Sequence, residues 1–357
     1  STTSRDFHPT DVIEDADGSL LVVDTGGWFY RGCPTSQISK PDVLGGIYRI
    51  RRAGMTTQVD PWGKQLDWRS MPDAQVIKWM NDTRHKVRQR AITEAAKRGE
   101  PMVPALEKAL RGDVRVRRNS LWALTRIVGD GKAIPQAPSA IRLALADRNP
   151  SIRQTACRAI ATYPDPNAIG RLIEIVKDDV APVRREAAKA IGRIGDAVAI
   201  PALLSTLADN RSIDRAEEHA IIYALTEINH PASMVAGLEH ASPRVRRACL
   251  IVIDQMEDVF VSSRTIAGLL SADDVDLQRA AVQALTRRNR ELSRQASQEF
   301  SSASTVELIA DQMRTWSSGP APSADRSKLI VALASAFAST DSIAIEIARG
   351  LADSASP

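Results

Sequence analysis

Cysteine is scarce in this chain. The three present among 357 residues, Cys33, Cys157 and Cys249, are too few and too scattered for a disulfide framework. None belongs to a Cys-x-x-Cys-His string, which excludes covalent haem attachment within these residues. Cys157 and Cys249 fall on apolar helical stripes, where a buried free thiol is the usual state, and Cys33, in a polar loop, is the one candidate for reactivity. Aromatic residues make up 4% of the chain, a content that suits Ala/Leu-packed helices better than a β-rich fold. No two of the five histidines stand three or four residues apart, so a metal site of sequence-local ligands is not expected. The pairs Gly26-Gly27 and Gly45-Gly46 lack the Lys-Ser/Thr or G-x-G-x-x-G context of a phosphate loop and read as turn and strand-edge glycines. No run of about 18 apolar residues exists, so no membrane insertion is expected, and the opening STTSRDFHPTD has no apolar stretch of the signal-peptide kind. No catalytic residue, cofactor or metal ligand emerges from this search.

What the chain has in abundance is one phrase, repeated seven times between about residue 77 and 290: a polar turn, a branched apolar residue, a basic residue, then an Ala-rich amphipathic run. The copies open at His85, Val114, Pro150, Ala181, Glu218, Ser242 and Asp274, with a period of about 32 residues, inside the range of stacked repeats. Within a copy the apolar residues recur three and four apart, as Ala187, Ala188, Ile191 and Ile194 do, which puts them on one stripe of a helix. A second apolar run precedes each copy, such as IPALLSTLAD from Ile200, so each period is a helical pair that buries itself only against its neighbours. Pro104, Pro135, Pro182, Pro201 and Pro243 stand near element starts, where the missing N–H costs least, and Gly129 and Gly195 near ends.

Asp82, Asp147 and Asp178 each stand six residues before Arg88, Arg153 and Arg184. This aspartate before a Val-Arg step resembles the pattern of the HEAT-repeat family, and the resemblance implies a mainly α fold: a HEAT-type α-α superhelix, or solenoid, with a short N-terminal β appendage. The arginines are read first as a ladder of ion pairs and carbonyl hydrogen bonds that sets the register between repeats, because a matched acid accompanies the base. The ladder is expected to break near Glu217 and Leu277. A binding role remains for the basic faces, and the candidate interaction surface is Arg88, Arg117, Arg118, Arg153, Arg184, Arg185, Arg246, Arg247 and His219. For His219, beside Glu217 and Glu218, a structural polar contact is favoured over metal or acid–base work, since the Glu-x-x-His order is missing.

Residues 1–52 show no helical period. DVIEDADGSLLVVDTGG reads as a β-hairpin with a tight Asp17-Gly18 turn, and GGIYRIRR from Gly45 as a third strand. Three short strands cannot hide their faces and edges unaided, so they pack on the first helices or belong to a larger sheet. Residues 53–80 form a linker and first cap, where Trp62, Trp68 and Trp79 are read as sealing the first repeat rather than lining a ligand surface. Residues 81–290 carry the HEAT repeats, and 291–357 a C-terminal helical cap: apolar runs from Thr305 and Ser327, an SSGPAPSAD loop from Ser317, and a final helix from about Ser342 to Leu351.

The string from Phe7 to Arg52, with DRAEEHAIIYALTEI from Asp214 and RRACLIVIDQM from Arg246, resembles large secreted planctomycete-type proteins described as membrane-bound dehydrogenases. In that family a β-propeller similar to quinoprotein sugar dehydrogenases precedes HEAT repeats and a c-type haem domain. The resemblance implies that residues 1–52 are the closing strands of a propeller's last blade, that the chain is an internal, non-catalytic fragment of a redox protein, and that its location is periplasmic or secreted. Without the resemblance the location is cytoplasmic. The expected partner is protein, either other domains of the parent or a separate chain. Nucleic acid is the weaker alternative: a net charge of +4 and pI near 9.0 are mild, acids intervene in the arginine clusters, and stacking aromatics do not.

Overall fold

The computed structural model describes residues 7–27, 44–54, 56, 58–130, 136–209, 213–256, 259, 261–295, 303–317 and 324–337. Cys33, Pro135, most of the SSGPAPSAD loop and the segment from Ser342 to Leu351 lie outside them. The chain divides into two compact units, residues 1–144 and 145–357.

The first unit opens with three antiparallel strands in the order β1-β2-β3: β1 (Pro9–Glu14), β2 (Leu20–Asp24) and β3 (Gly46–Ile50). The connection between β1 and β2 is longer than a two-residue turn. It runs from Asp15 to Ser19, because Asp15 N–H donates to the Ser19 carbonyl at 2.8 Å and Gly18, at φ +78°, reverses the chain. Arg49 reaches Asp15 at 2.6 Å and Arg51 reaches Asp17 at 3.0 Å, so β3 clamps the turn of the other two strands. The pleat puts Val12, Val22 and Tyr48 on one face and Ile13, Leu21 and Arg49 on the other. Val12, Ile13, Ile47 and Ile50 are all more than half exposed, so both faces of the sheet present apolar surface.

Helices follow in pairs: α1 (Asp73–Trp79) with α2 (His85–Arg98), and α3 (Val103–Ala109) with α4 (Val114–Gly129), before α5 (Gln136–Leu143). Val87, Ala91 and Ala95 of α2 and Leu121, Leu124 and Ile127 of α4 are buried, as the 3.6-residue stripe requires. The loop ahead of α1 is tied to α2 through side chain to backbone bonds. Arg84 donates to the Asp60 carbonyl at 2.9 Å, Arg90 to the carbonyls of Trp62 and Gly63 at 3.0 Å each, and Arg98 to that of Trp68 at 2.9 Å. Trp68 Nε1 donates to the Gly63 carbonyl at 3.1 Å. Gly63 sits at φ +65°, and a Cβ there would come within 2.9 Å of Val87, so the loop lies on the helix as closely as a glycine permits.

The second unit continues with α6 (Pro150–Thr162), α7 (Ile169–Lys177), α8 (Ala181–Ile194), α9 (Ile200–Ala208), α10 (Arg215–Ile228), α11 (Pro231–Gly237), α12 (Pro243–Ile253), α13 (Ser263–Gly268), α14 (Val275–Gln295), α15 (Ala303–Ser317) and α16 (Ala324–Phe337). Each of the seven phrases is thus one longer helix, from α2 to α14 in even numbers. In this unit α6, α8, α10, α12 and α14 lie side by side, each packed on the next, and α7 packs on α9. Close approach is built from small residues: a Cβ on Gly192 of α8 would meet the backbone of Ala224 in α10 at 2.8 Å, and one on Gly237 of α11 would collide with the Cys249 thiol. Caps are local. The side chains of Asn149, Asp214 and Ser262 accept backbone N–H bonds at the starts of α6, α10 and α13, and Gly195 ends α8 in the left-handed region at φ +77°. No helix among the described residues is long and apolar enough to cross a membrane.

Candidate interaction surface

Aligning the even-numbered helices on their buried branched residue (Val87, Val116, Ile152, Val183, Val245, Leu277) separates the candidate arginines into two columns. One residue further stand Arg88, Arg117, Arg153, Arg184, Arg246 and Gln278, with Glu218 in α10 when that helix is aligned on Glu217, and two further stand Gln89, Arg118, Gln154, Arg185, His219, Arg247 and Arg279. A step of one residue turns the helix by about 100°, so the two columns look in different directions.

Arg88, Arg153 and Arg184 of the first column are structural. Arg88 donates to the carbonyls of Asp82 and Thr83 at 2.8 and 2.7 Å, Arg153 to that of Asp147 at 2.7 Å, and Arg184 to that of Asp179. The remaining guanidinium nitrogens reach into the following repeat: Arg153 grips the Asp179 carboxylate at 2.6 and 2.7 Å, and Arg184 grips Glu217 at 2.5 and 2.6 Å. These acids hold both arginines above their ordinary pKa, the hydrogen bond being the larger cause in each case. The aspartates six residues upstream are not the ion-pair partners. A guanidinium on the first turn lies over the backbone that enters the helix, so Asp82 and Asp147 at that spacing offer their carbonyls, Arg184 takes that of Asp179 one residue nearer, and Asp82 spends its carboxylate on Arg84 at 2.8 Å.

Where the sequence loses its arginine, part of the pattern is kept, although Arg246 of α12 grips no acid and its buried Nε has no partner among the described residues. Glu217 is 1% exposed and occupies the buried position that Val183 fills one repeat earlier, where it serves as the acid for Arg184. Gln278 donates to the Ala272 carbonyl at 2.6 Å, taking over the carbonyl bond of the arginines. Arg117 is buried in α4, and Arg246 is half-buried in α12. Arg88 differs from Arg153 and Arg184, since burial and then the neighbouring Arg115 lower its pKa and no carboxylate grips it.

The second column faces open grooves. In the second unit one groove, of about 710 Å³, has Gln154, Arg158, Arg185, Lys189 and His219 in its walls. Another, of about 550 Å³, is walled by Glu218, Arg247, Asp276 and Arg279, and Arg215 borders both. The cations are partly compensated: Arg185 meets Asp214 at 3.3 Å, Arg158 meets the buried Glu186 at 3.0 Å, and Arg247 holds Glu218 and, at 3.0 Å, Asp276. Burial is the largest single influence on Arg247 and works against its charge, but the Glu218 bond together with the charges of Glu218, Asp276 and Asp274 outweighs it and the pKa is raised. Arg215 makes no ion pair among the described residues. His219 is exposed and makes no hydrogen bond among them either, contrary to the structural contact expected of it, because its position on α10 points into the groove rather than toward the Glu217 side. His230 and His240 are the histidines with structural bonds, accepting the N–H of Ser233 at 3.3 Å and of Ser242 at 3.0 Å.

Arg158, Lys189, Arg215 and Arg279 were absent from the candidate surface. For two of them the signal was available in the register: Arg158 and Lys189 stand six residues beyond the buried branched position of their helices, the exposed face one turn after the second column. Among the described residues, no cluster of three or more His, Cys, Asp or Glu is disposed to hold a metal ion.

No curated protein matches this chain. Among solved structures, Kap95p, from work on its binding to RanGDP, aligns at a TM-score of 0.50 and 11% identity, covering 79% of this chain and 42% of that one. Importin beta aligns at 0.49 and 14%, covering 74% and 40%. The phycocyanin lyase complex of CpcE and CpcF from Nostoc aligns at 0.35 and 19%, covering 66% and 94%. The Kap95p likeness concerns the fold alone. The HEAT repeats family matches residues 137–222, and the paired helices of this chain form a solenoid of that type.

Proposed function

We propose that the chain is a non-catalytic scaffold that docks a protein partner along the grooves of its second unit. The observation that carries this reading is the second column: Arg185, His219, Arg247 and Arg279, from four successive phrases, border open grooves whose charge the local acids only partly cancel. Arginine is one of the side chains from which interface anchors are built. Kap95p, of similar fold, binds the protein RanGDP. The test is a photo-crosslinking residue placed at His219, in the groove wall, and in a control chain at Arg171 of α7, followed by identification of the crosslinked species in the source cell. A protein captured at His219, and lost when R185E and R279E are added, is expected. Equal capture from both positions overturns the reading.

A second proposal concerns context. The exposed apolar residues on both faces of the N-terminal sheet favour its packing on further β structure, as in the last blade of a propeller in a secreted quinone- and haem-dependent dehydrogenase. Sequencing the gene on both sides tests it: further blades upstream and a Cys-x-x-Cys-His motif downstream are the expected result, and their absence removes the redox context.

A further inference from the structure

We infer that the first unit carries a separate docking site, for a short acidic peptide segment, in the groove between the loop that precedes α1 and the exposed face of α2. The groove has a volume of about 760 Å³ and is bordered by Trp62, Lys64, Trp68, Lys86 and Lys97, together with the carboxylates of Asp67 and Glu94. Its charge is unlike that of the second unit. Lys64, Lys86 and Lys97 make no ion pair among the described residues, whereas along the second unit's grooves Arg158, Arg185, Arg247 and Arg279 each have an acid and Arg215 has none. Both local acids are already engaged. Glu94 holds Arg98 at 3.3 Å, and Asp67 accepts from the Ser70 hydroxyl at 2.7 Å and from backbone N–H groups, bonds that keep its pKa below the usual carboxylate range. The groove therefore presents three lysines to solvent without an ion-pair partner, beside two carboxylates that keep their charge.

The walls are held in place before any ligand arrives. Trp68 is bonded to Gly63, Arg90 fixes the carbonyls of Trp62 and Gly63 while lying 5.9 Å from the Trp68 ring, and Asp60 accepts the N–H of Lys64 at 2.7 Å and of Gln65 at 3.0 Å. Little further ordering is needed on binding, which leaves more of the contact energy as affinity. The lining selects against a polyphosphate. Asp67 and Glu94 would repel an evenly charged backbone, and the Lys86 ammonium, 5.5 Å from the Trp62 ring centroid, competes for a face on which a base would stack. A peptide can space its carboxylates to meet the lysines and leave neutral residues opposite the acids, with its apolar groups against the exposed Trp62.

The experiment is calorimetric titration of the full chain, at about 50 mM salt, with a short peptide alternating glutamate and serine, its glutamine counterpart, and a single-stranded oligonucleotide of equal length. The glutamate peptide is expected to bind, and the exposed-lysine variant K64Q/K97Q to weaken it by about tenfold or more. The control K328Q, on α16, should leave the affinity unchanged. Matching circular dichroism of the variants verifies that the fold is intact. Equal binding of the glutamine peptide, no response to K64Q/K97Q, or tighter binding of the oligonucleotide would each overturn the proposal, the last assigning the groove to nucleic acid.

Discussion

Replacing Arg184 with methionine removes the bidentate grip on Glu217 and leaves a carboxylate that is 1% exposed with no countercharge. Breaking a buried pair from one side costs about 3–5 kcal/mol, because the desolvation of the remaining ion is no longer offset. For a folding unit of this size that is a fall of roughly 6–20 °C in Tm. Glu217→Val should cost less, about 1–2 kcal/mol: valine suits a position that Val183, Val87 and Val245 fill in other repeats, and Arg184 keeps the Asp179 carbonyl. The double variant R184M/E217V swaps the pair for apolar side chains and should recover most of the loss, since such swaps are often neutral or stabilising by about 1–4 kcal/mol. The assay is urea unfolding of the wild type, both single variants and the double, followed by circular dichroism of the helices. A coupling energy above about 2 kcal/mol is expected. If R184M falls within about 1 kcal/mol of the wild type, or if the two losses simply add, then the pair is not a buried, mutually dependent contact and the ladder does not hold the repeats together.

Gly237→Ala drives a methyl into the Cys249 thiol and should destabilise by about 1–3 kcal/mol, with C249A restoring part of the loss in the same unfolding assay. Burial pushes the Cys249 thiol up to about 11 and raises Cys157 further, so at pH 8 a thiol reagent should modify neither in the native chain and both after denaturation, as mass spectrometry would register. Asp17, held down to about 2 mainly by its bonds to Ser19, should strengthen the β1-β2 connection above the unfolded value near 3.8 and lose that contribution as the pH falls toward 2. NMR titration of its carboxyl measures the midpoint directly, and an ordinary carboxylate value there would refute the bonding described.

Much of the architecture was legible because it is local. The spacing of Val87, Ala91 and Ala95, or of Val183, Ala187 and Ile191, specifies a helix and its buried stripe without reference to anything distant, and all seven phrases became helices on that basis. The hairpin was legible in the same way, though its turn grew to five residues because Asp15 and Ser19 bond each other across it. The roles of the arginines were only half legible. Adjacent arginines such as Arg184 and Arg185 are indistinguishable by composition, yet one is locked to a buried acid and the other borders a groove.

The sequence by itself determined the repeat, the helices, their apolar stripes and the column on which each arginine stands, since these follow from a 3.6-residue period acting over a few turns. Only the tertiary structure decided which carboxylate each arginine meets. Glu217 lies 33 residues from Arg184, and Asp179 lies 26 from Arg153, separations bridged only when one helical pair stacks on the next. The lysine-lined groove of the first unit arose likewise, when α2 brought its exposed face against a loop 24–30 residues earlier in the chain. Charge balance at such places is a property of packing, because it depends on which ions lie within a few ångströms of one another and not on how many of each the chain contains.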